Sequence, residues 1–319
     1  MVVIGITGGS GYIGGRLVQR YLKASASLRL VDDHSGPVDV SSPGTEVLDA
    51  DFASPESLRH LSDCDVVLHL AARSGVVVCQ KDPEGTRRVN VEGTRRLAAS
   101  CRERGIPIAF ASSFSVVGIP VQLPITEQTP ARPTHEYSHQ KAAGEEVIRA
   151  LPGEGRPPGA VLRMSNLYGS YRSQGKLVAK GNVLNLYAAR ARAGGSLEVY
   201  APGTQRRDYV HLEDVCSHWE ASARYLLSAR SDGVPTFCVA SGESATVLDL
   251  AQRVADTWRA LHPDRPRLPV EVVENPRRDV EILHPEFEVD PSWTRSQLGV
   301  RCEMNLDRGI RRVLEEVLA

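Results

Sequence analysis

The sequence has no long apolar run and no surplus of charge of either sign. No uninterrupted apolar stretch reaches the about 18 residues of a membrane span, so no such span is expected. Lys and Arg number 38 against 39 Asp and Glu, a net charge of -1, and no polybasic run stands out. Neither a nucleic acid nor a membrane surface is therefore implied as partner. Cys64, Cys79, Cys101, Cys216, Cys238 and Cys302 are scattered with no Cys-x-x-Cys. That speaks against a metal cluster and for reduced, mostly buried thiols; no metal is expected. Repeats and low-complexity tracts are missing too. The strand pattern starts at Val2, which leaves no room for a signal peptide, and a cytoplasmic location is expected. The chain has 319 residues, enough for one large or two modest domains around a sizeable core.

What is present is an alternation. Short apolar runs at Val2–Thr7, Leu28–Val31, Val47–Leu48, Asp65–Leu70 and Ile106–Ala111 read as strands. Helical spacing appears at Tyr12–Leu22, Pro55–Leu61 and Gly85–Arg104, with Pro83 suited to a helix start. Strands alternating with helices predict right-handed βαβ units and a parallel sheet covered on both faces. After the Pro- and Gly-rich stretch Pro152–Pro158 the texture changes. Ala160–Arg163 reads as a strand and Tyr168–Gly181 as an exposed loop or substrate lid. Helices are expected near Val183–Ala193, Leu212–Leu227, Thr246–Leu261 and Asn305–Leu318.

Two separated sites carry the chemistry. Gly8, Gly11 and Gly14 are spaced Gly-x-x-Gly-x-x-Gly between the first strand and the helix from Tyr12. Glycine lets backbone approach a pyrophosphate, and the helix start offers free N–H groups and a positive dipole end. Asp32 ends the second strand, where a carboxylate can accept hydrogen bonds from adenosine ribose hydroxyls and repel a 2′-phosphate. No Arg or Lys stands beside it, so NAD is favoured over NADP. Asp51-Phe52, after the third strand, are candidates for contact with adenine. The second site is Tyr137 and Lys141, four apart and so on one face of a helix. A free phenol is a poor base at neutral pH, and bringing its pKa there takes roughly 4 kcal/mol. A nearby ammonium and a positive nicotinamide ring are candidates to supply it. Ser112-Ser113 lie at a strand end, where open α/β sheets bind ligands.

Read together, these residues resemble the extended short-chain dehydrogenase/reductases of the nucleotide-sugar epimerase/dehydratase type. The match includes Thr7-Gly8 to Gly14, Asp32, Asp51, His69-Leu70-Ala71-Ala72, Asn90-Val91-Glu92-Gly93-Thr94, Ser112-Ser113, Tyr137 with Lys141, Arg163 to Gly169, and Arg207-Asp208-Tyr209-Val210-His211. The resemblance implies an α/β fold with a Rossmann-type doubly wound parallel sheet and a smaller C-terminal α/β substrate domain. Residues 1–163 would bind NAD, with a segment near 207–240 returning to that domain, and 164–319 would bind the nucleotide sugar. It implies Tyr137 as acid and base, Lys141 on the nicotinamide ribose, and Ser113 on the reacting oxygen. Gly8, Gly11, Tyr12, Ile13, Gly14, Asp32, Asp51, Phe52, Leu70, Ala71, Ala72 and Asn90 would line the cofactor. Ser113, Phe114, Asn166, Asn182, Val183 and Arg207 would line the substrate, with Arg277 or Arg278 on a phosphate; arginine forks suit a diphosphate. A homodimer through a four-helix bundle of Gly85–Arg104 and Glu136–Ala150 is likewise implied.

The residues after Ser113 bear on the reaction. Related dehydratases carry an Asp-Glu pair there and decarboxylases a glutamate, whereas this chain has Phe114-Ser115. A C4 epimerase needs no second acid, so NAD-dependent epimerisation of a UDP-hexose through a transient 4-keto sugar is the expectation. A reductase, dehydrogenase or dehydratase of a nucleotide-linked sugar and a non-catalytic nucleotide-binding protein are the alternatives. Val117 replaces a usual tyrosine, and Ser74 stands where some 4-epimerases have lysine. Phe287 falls near a position where a large aromatic crowds an N-acetyl group, which favours a plain hexose.

Overall fold

The apolar runs of the first half become strands flanked by turn residues, and the inner ones, such as Val3–Thr7, Val66–His69 and Ile108–Ser113, are buried on both faces. The computed structural model describes residues 2–38, 40, 43–153, 155–276 and 286–318. In chain order come β1 (Val3–Thr7), α1 (Tyr12–Lys23), β2 (Ser27–Asp32), β3 (Thr45–Asp49), α2 (Pro55–His60), β4 (Val66–His69), α3 (Val76–Lys81) and α4 (Pro83–Arg87). A π-helical turn, Arg88–Gly93, then leads into α5 (Thr94–Glu103), β5 (Ile108–Ser113), a 3-10 turn (Phe114–Val117), α6 (Glu136–Arg149) and β6 (Gly159–Met164). The second half holds β7 (Asn166–Tyr168), β8 (Ser170–Ser173), β9 (Lys176–Ala179), α7 (Val183–Ala193), β10 (Leu197–Tyr200), β11 (Arg206–His211), α8 (Leu212–Ser228), β12 (Thr236–Val239), β13 (Ser244–Thr246), α9 (Val247–Leu261), β14 (Val270–Val273), α10 (Ser292–Leu298) and α11 (Leu306–Leu318).

The large sheet is parallel, in the order β12-β6-β5-β4-β1-β2-β3. Strand order reverses between β1 and β4, and at such a switch the carboxyl ends of the strands open a crevice. Those ends are Thr7, Asp32, His69 and Ser113, so the sheet itself gathers the residues singled out in the sequence. Alternate residues of one strand enter opposite cores: Ala109 packs with Ile6, Leu30 and Trp219, while Ile108 and Phe110 pack with Val67, Leu97 and Ile148. A further core, among α7, α9 and α11, holds Tyr187, Leu197, Trp258 and Ile310. Smaller sheets, β13-β11-β7 and β10-β14, complete the second half.

Two segments differ from expectation. Tyr168–Gly181, read as an exposed loop or lid, is mostly strand: β7, then an antiparallel hairpin of β8 and β9. Tyr171 and Val178 of the hairpin are buried in the core beside α1 and supply apolar anchors that the polar pattern hid. The expected single helix over Gly85–Arg104 is interrupted by the π turn around Asn90. Among the described residues no helix is long and apolar enough to cross a membrane.

Candidate active site

The glycine loop is built to leave room above it. Gly8 has φ +77, and a Cβ there would lie 2.7 Å from the Ala71 amide nitrogen. A Cβ on Gly14 would collide with the carbonyl oxygen of Gly8. The loop therefore folds flat against the start of α1, and Gly11 caps that helix with no side chain. The first amides of α1, from Tyr12, Ile13 and Gly14, are left for an anion, and Leu70, Ala71 and Ala72 border the opening from the end of β4. This is the backbone environment that a dinucleotide pyrophosphate requires.

Asp32 is buried and works hard inside the protein. Ser10 N donates to its Oδ2 at 2.7 Å, while Ser10 Oγ at 2.5 Å and His34 N at 2.7 Å donate to Oδ1. A carboxylate offers about four acceptor positions, so one remains for a ribose hydroxyl. Asp51 is exposed and accepts from Ala53 N at 2.8 Å. The Phe52 ring is buried against His69, with centroids 4.8 Å apart.

The proton-transfer candidates meet at the end of β5. His135 caps α6 by accepting from Ser138 N at 3.2 Å, and Ser138 Oγ accepts from His135 N at 3.1 Å. This capping box fixes the first turn of α6, which carries Tyr137, and the His135 ring stacks parallel to the phenol at 6.2 Å. Burial pushes the Tyr137 phenol up to about 12, and a hydrogen bond with Ser113 works in the opposite direction. Lys141 donates to the Ala111 carbonyl at 2.7 Å and lies over the Phe110 ring at 5.1 Å. Burial first, then the charge of Lys180, brings its ammonium down to about 8. In the protein alone the Lys141 ammonium is turned to a backbone carbonyl, and Ser113 is the neighbour whose hydrogen bond draws the phenol down.

Beneath these residues lies a buried ionic floor. Glu145 on α6 accepts from Arg163 Nε at 2.9 Å and Nη2 at 2.8 Å, from Ser112 Oγ at 2.6 Å, and from Arg149 at 3.0 Å. Removing one partner of such a pair would leave a charge unpaired and buried, so the floor locks α6 to β5 and β6. On the cofactor side Asn90 holds the loop after β4, with Oδ1 accepting from Arg73 N and Nδ2 donating to Arg73 O, both at 2.9 Å.

The residues that the resemblance assigns to the substrate sit on different elements of the second half. Asn166 is exposed on β7 and donates to Asp208 O at 3.1 Å. Asn182 caps α7 through Oδ1, which accepts from Asn185 N at 2.9 Å, while its buried Nδ2 has no partner. Val183 opens α7, and Arg207 is half-buried on β11. Asp208 anchors β11 by accepting from Ser241 N, Ser241 Oγ and Gly242 N. Phe114 is buried edge-on against Phe287, with centroids 6.1 Å apart, and Ser115 Oγ is buried without a partner. Phe287 thus packs first on Phe114. Arg277 and Arg278 lie outside the described residues.

Three contributors escaped the sequence pattern: Lys180, Glu145 and Gln140. Arg163 beside Glu145 was legible only as part of a motif. His69 is buried between Thr7 Oγ1 at 2.7 Å and Thr94 Oγ1 at 2.9 Å, a bridge that no spacing announces.

Comparison with known proteins places the chain in a family. The model of the NAD dependent epimerase/dehydratase family matches residues 4–228. A UDP-glucose 4-epimerase of Mycolicibacterium smegmatis is 26% identical over 97% of this chain and 96% of its own length. A dTDP-L-rhamnose 4-epimerase of Burkholderia thailandensis is 26% identical over 96% of this chain and 92% of its own. Among solved structures, the NAD-dependent NDP-hexosamine 5,6-dehydratase TunA of tunicamycin biosynthesis superimposes with a TM-score of 0.80 at 27% identity, covering 99% of this chain and 97% of that one.

Proposed function

The chain belongs to the NAD dependent epimerase/dehydratase family, and from that premise we propose that it interconverts two nucleotide-diphosphate hexoses at C4, with UDP-hexoses as substrate. The observation that carries this reading is the wall after Ser113. Phe114 is packed on Phe287 and Ser115 offers only a hydroxyl, so the two positions hold no carboxylate to move a proton at C5 or C6. Ser113, Tyr137 and Lys141 suffice for chemistry at a single hydroxyl.

The protein's surfaces fit NAD. The absence of side chains at Gly8 and Gly14 lets the loop close on Ala71 and on the start of α1, whose first amides take the pyrophosphate, and the remaining acceptor position of Asp32 takes a ribose hydroxyl. When bound, NAD supplies a hydride acceptor and donor, together with a positive ring. Tyr137 takes the proton of the C4 hydroxyl and later returns it, and Ser113 holds that oxygen by hydrogen bond. Lys141 charged in the same pocket favours the phenolate, and turning from Ala111 O toward a ribose hydroxyl would bring it into play. Asn166, Asn182 and Arg207, all within 164–319, hold the diphosphate; the unpartnered Nδ2 of Asn182 is a ready donor. A cytoplasmic homodimer through α5 and α6 belongs to the same reading, and light scattering at micromolar concentration checks the dimer.

The likeness to the dehydratase TunA favours a second reading, loss of water from a nucleotide-linked hexosamine. Proton NMR of products from UDP-glucose, UDP-galactose and their N-acetylated forms, with and without added NAD, separates the two. An isomer with no net NADH supports the epimerase. A product lighter by one water, or stoichiometric NADH, removes it.

A further inference from the structure

Gln140 is fully buried on α6, directly before Lys141 and three residues after Tyr137. Its Oε1 accepts from Asn90 Nδ2 at 2.7 Å and from the Cys79 thiol at 3.7 Å. Its Nε2 donates toward Thr86 Oγ1 at 2.9 Å, Glu136 Oε1 at 2.8 Å and Pro83 O at 3.2 Å. One carboxamide thus ties α6 to α3, to α4 and to the π turn. Asn90 in turn clamps both backbone groups of Arg73, the residue that follows Ala71-Ala72. Two carboxamides in series therefore connect the loop bordering the glycine cradle to the helix bearing Tyr137 and Lys141.

We propose that Gln140 is a positioning residue, which through Asn90 sets the separation between the Ala71–Arg73 loop and the Tyr137–Lys141 pair. Tyr137 and Lys141 share a helix, so their mutual geometry is secured by α6 itself. Their distance from the cofactor-side loop is not, and the Gln140–Asn90 bond spans that gap. Neither carboxamide titrates, so the link holds across the range in which Tyr137 and Lys141 change charge. The wider π turn places Asn90 where both Arg73 and Gln140 are in reach, and such turns recur at functional sites. A misplacement of about 1 Å between reacting groups costs about 100-fold in rate. The inference rests on the proposed NAD chemistry, and its test keeps the two apart.

Gln140→Met preserves length and removes every hydrogen bond. Asn90 Nδ2 keeps Arg73 O, and Thr86 Oγ1 keeps Asp82 O at 2.6 Å, so few buried groups are orphaned and the fold should persist. The expected result is a fall in kcat of about 100-fold with the KM for the nucleotide sugar changed less than about 3-fold, per folded chain counted by circular dichroism. In the cofactor-free chain, exchange of the Arg73 amide should speed up at least about tenfold, while β10 is unchanged. In a cycle with Asn90→Ala, the double variant should be no slower than Asn90→Ala alone; additive losses overturn the proposal, because Gln140 would then not act through Asn90. Unchanged exchange at Arg73 with unchanged kcat overturns it as well. Should Gln140→Met fail to fold, Thr86→Val removes one of the three partners at the other end of the carboxamide and should lower kcat in the same direction by about 5-fold; no change there overturns it. If the parent chain turns over no nucleotide sugar, the functional reading falls, and the exchange measurement still decides the role of Gln140.

Discussion

The two sides of the crevice are finished to different degrees. Around the glycine loop the buried side chains are tied to protein groups: Ser10 and His34 occupy Asp32, Thr7 and Thr94 occupy His69, and Asn90 occupies Arg73. At the start of α7 and after β5, Asn182 Nδ2 and Ser115 Oγ are buried without partners, and burial holds Tyr137 as a neutral phenol. Side chains already tied to the protein present a ligand with a fixed surface. A surface with open donors gains its last hydrogen bonds only when a substrate arrives, so binding there can be strong in one state and weak in the next.

The comparison breaks most sharply at Tyr137. Tyr137→Phe should lower kcat by about 1,000-fold, with the melting temperature unchanged or raised because a buried hydroxyl is lost; steady-state rates and calorimetry check both. On the cofactor side the largest effect should be on stability and should depend on pH. Burial brings His69 down to about 3, below its ordinary value of 6.5, so the folded chain refuses a proton that the unfolded chain takes. That stability is present above pH 6.5 and is lost as pH falls toward 3, on the order of 5 kcal/mol in all. Urea midpoints across that range should be flatter in His69→Gln, and an equal slope removes the assignment. Gly14→Ala forces a methyl against Gly8 O, so it should cost about 2 kcal/mol of stability and abolish retention of NAD through gel filtration. Asn182→Ser is the mildest change. It keeps the helix cap and deletes only the open donor, so KM for the nucleotide sugar should rise about 5-fold with no loss of stability.

What the sequence disclosed follows the same division. Gly8, Gly14, Asp32 and the apolar strands were legible because their roles depend on neighbours a few residues away or on strand ends. The loop at 168–181 was misread because the hairpin is stabilised by burying Tyr171 and Val178 against α1, a partner more than 150 residues distant in sequence. The π turn was invisible for a related reason. Its extra residue is stabilised by bonds from Asn90 to Arg73 and Gln140, which no local propensity encodes. Nothing in the sequence singles out Gln140, and only its bonds to α3, α4 and the π turn make it a buried hub. Phe114 showed the opposite case. Its size was plain in the sequence, while its edge-on partner Phe287 came from another part of the chain.

The late strand β12 bears on how the chain is made. It covers the open edge of β6, yet it is synthesised more than 70 residues after β6, once the hairpin, α7 and α8 have emerged. Until Thr236–Val239 leaves the ribosome, β6 presents bare amides and carbonyls and the apolar side chains of Val161 and Leu162 to whatever is nearby. A nascent chain of this protein is thus sticky for several seconds at ordinary rates of synthesis, about 5–20 residues per second. A gene truncated after α8 would encode the glycine cradle, Tyr137 and Lys141 in full, and still yield a product prone to aggregate along one unguarded edge.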